Sequence, residues 1–230
     1  MIVQPVFSIA IDGPAGAGKS SIAKLLAKRL GAIYLDTGAM YRTMALYMHE
    51  QNFRSADAMA KAANDPKIEV KFVGNEQHML LNGADVTERL RSPEASMLAS
   101  RVATVPEVRE RLVNLQREIA AGHAVIMDGR DIGTKVLPNA TLKVYLTASC
   151  EVRAERRFKE LSEKDPEITY ESVLEDIIKR DYNDAHRAAS PMMQAKDAVR
   201  MDSSNMTPNE VVAAIIDLLL KAIPAKGAEE

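Results

Sequence analysis

At 230 residues and 25.2 kDa, the chain is long enough for one sizeable α/β core and too short for two full domains. A net charge of -2 and an isoelectric point near 6.1 give no global attraction to nucleic acid polymers or anionic membranes. The most apolar stretch, VVAAIIDLLLKAI at 211–223, is broken by Asp217 and Lys221, so no membrane segment is expected. The single cysteine, Cys150, and four scattered histidines indicate a reduced, cytosolic chain without structural zinc.

The first element is FSIAI at 7–11, a short apolar run of the kind a buried parallel strand shows. It leads into IDGPAGAGKSS, residues 11–21, where Gly13, Gly16 and Gly18 precede a lysine and two hydroxyls. Glycine in a tight bend lets main-chain N–H groups point inward without an obstructing Cβ, and a ring of such donors suits a polyphosphate. The spacing of Gly13, Gly18, Lys19 and Ser20 fits the G-x-x-x-x-G-K-[ST] phosphate loop, whose lysine reaches the β- and γ-phosphates and whose hydroxyl meets Mg2+. The expected nucleotide-binding residues are Gly13, Pro14, Ala15, Gly16, Ala17, Gly18, Lys19, Ser20 and Ser21. Ile22, Leu25, Leu26 and Leu30 then recur at helical spacing, supplying the helix that this motif requires.

Four later runs resemble the first strand: AIYLD at 32–36, AVIMD at 124–128, LKVYL at 142–146 and AVRMD at 198–202. With helical patterns between them, they predict an α/β fold with a five-stranded parallel sheet and helices on both faces. Ligands of open α/β sheets bind beyond the carboxyl ends of the strands, so Asp36 and Asp128 are expected near the phosphate loop, joined by Asp12.

Residues 68–86 break the alternation. Ile68, Val70 and Phe72 alternate with charged residues, Gly74-Asn75 offers a turn, and Asn82-Gly83 is a strong hairpin signal. This predicts a small antiparallel insert; pattern alone leaves open whether it decorates the surface or works at the site. Helices are expected from Ser55 or Asp57, from Ser92-Pro93, and from Val105-Pro106 through Leu112, Leu115 and Ile119. Further helices are expected over 150–163, 170–188 and 208–222, the last with Pro208 at its start and Thr207 as its cap, before a fraying tail PAKGAEE.

A phosphate loop is shared by kinases, GTPase switches and mechanical ATPases; the arginines discriminate. Phosphoryl transfer between two anionic partners needs positive groups on the equatorial oxygens and on the acceptor. Candidates are Arg42, Arg130, the trio Arg153, Arg156 and Arg157, and the pair Arg180 and Arg187. On a helix, Arg180, Asp184 and Arg187 project from one face, as do Arg153, Arg156 and Arg157. Alone, each set reads as a solvated face with ion pairs of about 0.3–0.5 kcal/mol; beside a phosphate loop, each can grip an anion.

The blocks GPAGAGKSS, LDTGAMYR, DGRDIGT and RDYNDAHRAASP, in that order and with the insert between the second and third, resemble the bacterial cytidylate kinases over about residues 7–220. The last three blocks are far more specific than the phosphate loop. The resemblance implies transfer of the ATP γ-phosphoryl group to CMP or dCMP in pyrimidine nucleotide metabolism, with Mg2+, by a cytoplasmic monomer. It also implies a P-loop nucleoside monophosphate kinase fold as a single domain over 1–230. Its core would be 1–66 and 92–222, with a β-rich acceptor-binding insert at 67–91, a short arginine-bearing lid near 151–168 and a tail at 223–230.

Carried over by motif, Thr37, Arg42, Arg130 and Arg187 hold the acceptor phosphate, Ser100, Arg109 and Asp131 read cytosine, and Arg180 and Asp184 lie around the ribose. Lys19 holds the donor phosphates, Arg153 and Arg157 neutralise the migrating phosphoryl, and Ser20 with Asp128 attends Mg2+. Two departures from the family pattern stand out: Thr37 replaces a frequent serine but keeps the hydroxyl, and Ser20-Ser21 leaves open which hydroxyl meets the metal. The rivals are a kinase for UMP, AMP or a small metabolite, and an ATPase or GTPase switch. A GTPase would be expected to carry N-K-x-D, and the chain contains no Asn-Lys pair.

Overall fold

The apolar runs build one parallel sheet, seen in a computed structural model that describes residues 6–74, 76–163, 165–186 and 190–223. Its strands are β1 (Ser8–Asp12), β2 (Ile33–Asp36), β6 (Val125–Gly129), β7 (Leu142–Thr147) and β8 (Val199–Asp202), in the order β2-β6-β1-β7-β8. Successive residues of a strand face opposite sides of a sheet, so the central strand must be apolar throughout. In β1, Ala10 packs with Leu35, Met40, Met44 and Met127 on one face, while Ile9 and Ile11 pack with Leu26, Val212 and Ile215 on the other.

Helices α1 (Lys19–Leu30) and α8 (Pro208–Ala222) cover the second face; α2 (Thr37–Glu50) and α5 (Pro106–Ala120) cover the first. Their boundaries follow local chemistry. Thr207 and Glu210 form a reciprocal capping box at the start of α8, and Ser55, rather than Asp57, caps α3 (Ala56–Lys61). Ser92 caps α4 (Pro93–Val102).

The insert is a three-stranded antiparallel sheet of β3 (Ile68–Val73), β4 (Glu76–Leu81) and β5 (Ala84–Asp85). Asn82 and Gly83, with φ of 51° and 87°, make the left-handed turn between β4 and β5. Ile68, Met79, Leu81 and Val86 join the core cluster beside α2, so the insert is fastened to the body by apolar burial. The Gln77 amide fixes its position further: Oε1 accepts from the Asp36 N–H at 2.7 Å and Nε2 donates to the Asp36 carbonyl at 3.2 Å.

Helices α6 (Cys150–Ser162) and α7 (Tyr170–His186) form a hairpin with a small core of its own, Ala154, Val173 and Ile177, extended by an edge-on Phe158–Tyr170 pair. The strand and helix positions read from the sequence agree with these to within a residue or two where they are described. Asn75 of the expected turn, the last two residues of the expected 170–188 helix and residues 224–230 of the tail lie outside the described residues. A single wide helical turn over Ile132–Val136 lies where no element was expected.

Gly13 sets the exit from β1. Its φ is +145°, and a Cβ there would lie 1.9 Å from the Leu146 carbonyl oxygen on β7. Gly13→Ala is expected to cost more than about 3 kcal/mol of stability. Gly18→Ala, where φ is +86° but a Cβ meets nothing within 4 Å, should cost only about 1–2 kcal/mol of backbone strain. Urea denaturation of the two variants checks the contrast; equal costs would refute the close approach.

Candidate active site

A cleft of about 800 Å3 opens beyond the carboxyl ends of the strands. At one end lies the phosphate loop. Gly18, at φ 86°, turns the chain into α1, whose first turn has neither a side-chain cap nor an acidic residue. The first N–H groups of that helix therefore present unmatched donors and the positive end of its dipole. Lys19 is 6% exposed, and its ammonium donates to the Pro14 carbonyl at 2.7 Å. Burial and then the Arg130 guanidinium push Lys19 down to about 7, against the pull of Asp128, Asp12 and Asp184.

Asp128, at the end of β6, links three elements. Its Oδ2 accepts from the Ser20 hydroxyl at 2.8 Å, its Oδ1 from the Tyr34 hydroxyl at 2.9 Å, and its carbonyl from the Thr37 hydroxyl at 2.7 Å. Burial and the nearby Asp36 raise its carboxyl pKa, while Lys19 and the two hydroxyl donors oppose that rise. Both Ser20 and Ser21 line the cleft, but the hydroxyl bonded to Asp128 is that of Ser20.

The arginines of the hairpin divide. Arg156 and Arg157 line the cleft, Arg156 bonded to the Ser203 hydroxyl and carbonyl and Arg157 to Glu160. Arg153, which the resemblance placed at the migrating phosphoryl, does not line the cleft. It is 3% exposed, and its donors go to the carbonyls of Ala148 (3.0 Å) and Ala15 (2.8 Å), the Cys150 Sγ (3.0 Å) and the Asp181 carboxylate (2.7 Å). Helical side chains lean toward the N-terminus, and Arg153 sits a turn nearer the start of α6, so it meets the back of the phosphate loop. Asp181 also accepts from the Ala15 N–H at 3.3 Å. The Arg153–Asp181 pair thus holds both backbone groups of one loop residue and ties the hairpin base to the loop.

The expected acceptor residues that are described line the same cleft. Arg42 pairs with Asp36 at 3.0 Å, Arg130 pairs with Asp184 at 2.6 Å, and Arg180 lies 3.7 Å from Asp176. Burial, followed by the charge of Arg130, lowers the Arg180 pKa from its ordinary value, while Asp176 and Asp184 oppose the fall. Arg109 and Asp131 form a buried ion pair, with the guanidinium 5.7 Å from the centre of the Tyr41 ring. Ser100 borders the same space from α4 and donates to the Ser96 carbonyl at 3.2 Å. Thr37 is buried, with its hydroxyl proton already engaged by Asp128. Arg187 lies outside the described residues.

A family model described as cytidylate kinase matches residues 9–221. The chain is 50% identical over 218 residues to a cytidylate kinase of Caldicellulosiruptor saccharolyticus, covering 94% of this chain and 96% of the relative. It is 48% identical over 216 residues to a cytidylate kinase of Clostridium acetobutylicum, covering 94% and 99%. The chain belongs to the cytidylate kinase family. Among solved structures, an uncharacterized protein from Eubacterium ventriosum shares the fold with a TM-score of 0.53 at 12% identity, covering 93% of this chain and 98% of the other. Among the described residues of this cytidylate kinase family member, no helix is long and apolar enough to cross a membrane.

Sequence reasoning missed several residues that shape the site. Tyr34 appeared only as a strand former, Gln77 only as part of the insert, and Asp181 only as the neighbour of Arg180. The Arg-Asp dipeptide at 180–181 was the available signal, since neighbouring residues on α7 point about 100° apart and so serve different surfaces. Asp36 does reach the cleft, but it also caps α2 by accepting from the Ala39 N–H at 2.9 Å. Asp12 is close enough for its charge to act on Lys19, but it does not line the cleft, and its carboxylate accepts from the N–H groups of Ile132 and Gly133.

ATP is the phosphoryl donor of this family, and its binding should recharge Lys19. Below about pH 7 the lysine is already protonated; between about 7 and its ordinary 10.5 it must take up a proton when it meets a polyphosphate. Calorimetry of ATP binding in buffers of different ionisation enthalpy is expected to show little uptake near about pH 6 and approach one proton near about pH 8.5. Uptake that does not change with pH would mean that Lys19 remains charged throughout.

Proposed function

We propose that this chain transfers the γ-phosphoryl group of ATP to CMP and dCMP, giving ADP with CDP or dCDP. The observation that carries the reading is the buried Arg109–Asp131 pair at the acceptor end of the cleft. Cytosine presents an exocyclic amine donor that the Asp131 carboxylate accepts, and ring acceptors that Arg109 serves. Uracil places an acceptor oxygen where the amine would be, facing a carboxylate that cannot donate. An unpaired buried polar group costs roughly 1–3 kcal/mol, which corresponds to a tenfold to hundredfold preference.

In this reading Arg42, Arg130 and Arg187, with the Thr37 hydroxyl, hold the acceptor phosphate, while Arg180 and Asp184 border the sugar and Ser100 the base. Phosphate oxygens compete for Arg42 and Arg130 with Asp36 and Asp184, their present partners. An acceptor phosphate oxygen attacks the γ-phosphorus as the bond to the β–γ bridging oxygen breaks, leaving the electron pair on ADP. The acceptor is already an oxyanion, so no general base is required. Lys19 and the uncapped start of α1 hold the donor phosphates, and Arg157 stands over the cleft to offset charge on the moving group.

The Ser20 hydroxyl and Asp128 carboxylate, 2.8 Å apart beside the phosphate loop, fit Mg2+ chemistry. When bound, the ion supplies positive charge to the β- and γ-phosphates. The insert at 67–91 and a lid near 151–168 close around the substrates and exclude water, which would otherwise divert ATP to hydrolysis. Because Arg153–Asp181 fixes the base of α6 to Ala15, closure falls to the part of the hairpin farther from the loop. The single cysteine supports a reducing, cytoplasmic setting.

ADP release from Mg-ATP with CMP, dCMP, UMP, AMP or no acceptor tests the reading. Turnover with CMP and dCMP should exceed the others by at least about tenfold. Equal ADP release without acceptor would replace the kinase with an ATPase. Asp131→Ala should raise the CMP KM and narrow the CMP/UMP ratio of kcat/KM by about tenfold or more. An unchanged ratio would remove Asp131 from base selection.

A further inference from the structure

Asp12 ends β1 immediately before the first glycine of the phosphate loop, yet it is 4% exposed and is not among the residues lining the cleft. Its two carboxylate oxygens accept from consecutive backbone N–H groups 120 and 121 residues away: Ile132 at 2.8 Å on Oδ1 and Gly133 at 2.7 Å on Oδ2. Those peptides immediately follow Asp131. On the other side, Gly129 ends β6 in register with Asp12 itself. Arg130 and Asp131 are therefore bracketed by two attachments to one residue.

We propose that Asp12 is a positioning residue for acceptor selection, setting Arg130 and the base-reading Asp131 at a fixed place relative to the phosphate loop. The inference rests on the cytidylate kinase reading above. Two features argue for a dedicated role. First, the carboxylate is costly where it stands: burial pushes it up to about 6, and the neighbouring Asp131 charge adds to that, while the two N–H bonds and Lys19 oppose the rise. Second, the contact requires close approach. A Cβ on Gly133 would lie 3.3 Å from Asp12 Oδ2 and 3.1 Å from Lys143 Cδ. A buried acid accepting two adjacent N–H groups fixes the peptide that determines where the Asp131 side chain emerges.

Asp12→Asn keeps the shape but offers one acceptor oxygen, setting an amide N–H against one of the backbone donors. The CMP/UMP ratio of kcat/KM is expected to fall about tenfold, mostly through a higher CMP KM, with ATP affinity by calorimetry changed less than about threefold. Gly133→Ala disturbs the same contact from the loop side with the Asp12 charge retained, and should move selectivity in the same direction. Amide hydrogen exchange at Ile132 and Gly133, measured without nucleotide, should be about tenfold faster in Asp12→Asn.

Unchanged selectivity in both variants, or equal loss of ATP and CMP affinity, would overturn the positioning role. Unchanged exchange at the two amides would overturn it whatever the substrate. If the parent chain itself failed to distinguish CMP from UMP, the substrate reading would fail. The exchange result would still decide whether Asp12 holds the loop.

Discussion

The arrangement of the cleft depends on cations that burial makes costly and that the protein's own carboxylates offset only in part. Lys19 is pushed down by burial and by Arg130, and Arg180 is pushed the same way by the same two causes. An unpaired buried charge costs several kcal/mol, so the protein must answer it in part from its own side chains. Asp36, Asp128 and Asp184 do so, each within reach of a hydroxyl or guanidinium that borders the cleft. These pairings hold the site in shape while phosphate oxygens, which carry more charge and more acceptor positions, can compete for the same donors. The fold makes this possible by directing the uncapped start of α1 and the ends of β2 and β6 at one space.

Much of this was legible in the sequence because it is local. Five apolar runs, a glycine-spaced loop, a Thr207 cap and an Asn82-Gly83 turn are each determined by chemistry within a few residues. That Ser100 and Arg109 line the cleft was expected only by family resemblance; an arginine and a serine on helices carry no local mark of such a place. Contacts across the chain were not legible at all. Arg153 illustrates why: helical periodicity placed it correctly on one face with Arg156 and Arg157, but gave no information on which turn meets the phosphate loop. The structure assigns Arg153 to Ala15 and leaves the cleft to the other two.

The insert is another case in which pattern identified the element but not its work. Alternating residues and a hairpin signal predicted antiparallel strands, yet the amide of Gln77 was indistinguishable from any surface glutamine. In the fold it clasps both backbone groups of Asp36, the residue that caps α2 and pairs with Arg42. The insert therefore bears directly on the geometry around Asp36 and Arg42, through main-chain bonds that no side-chain motif advertises.

Aspartates at or next to the ends of β1, β2 and β6 do different work, and their surroundings decide which. Asp36, half-buried at a helix start, satisfies an orphan N–H and an arginine. Asp128, buried between two hydroxyl donors, ties Ser20 of α1 and Tyr34 of β2 through its side chain and Thr37 of α2 through its carbonyl. Asp12, buried without an arginine partner, is stabilised by two backbone N–H groups. A single residue type near three strand ends thus supplies a cap, a bridge between helices and a neighbouring strand, and a loop anchor. Because each carboxylate is already committed to its own partners, a neighbour cannot take over its bonds when one is replaced, and the shape of this end of the sheet depends on all three.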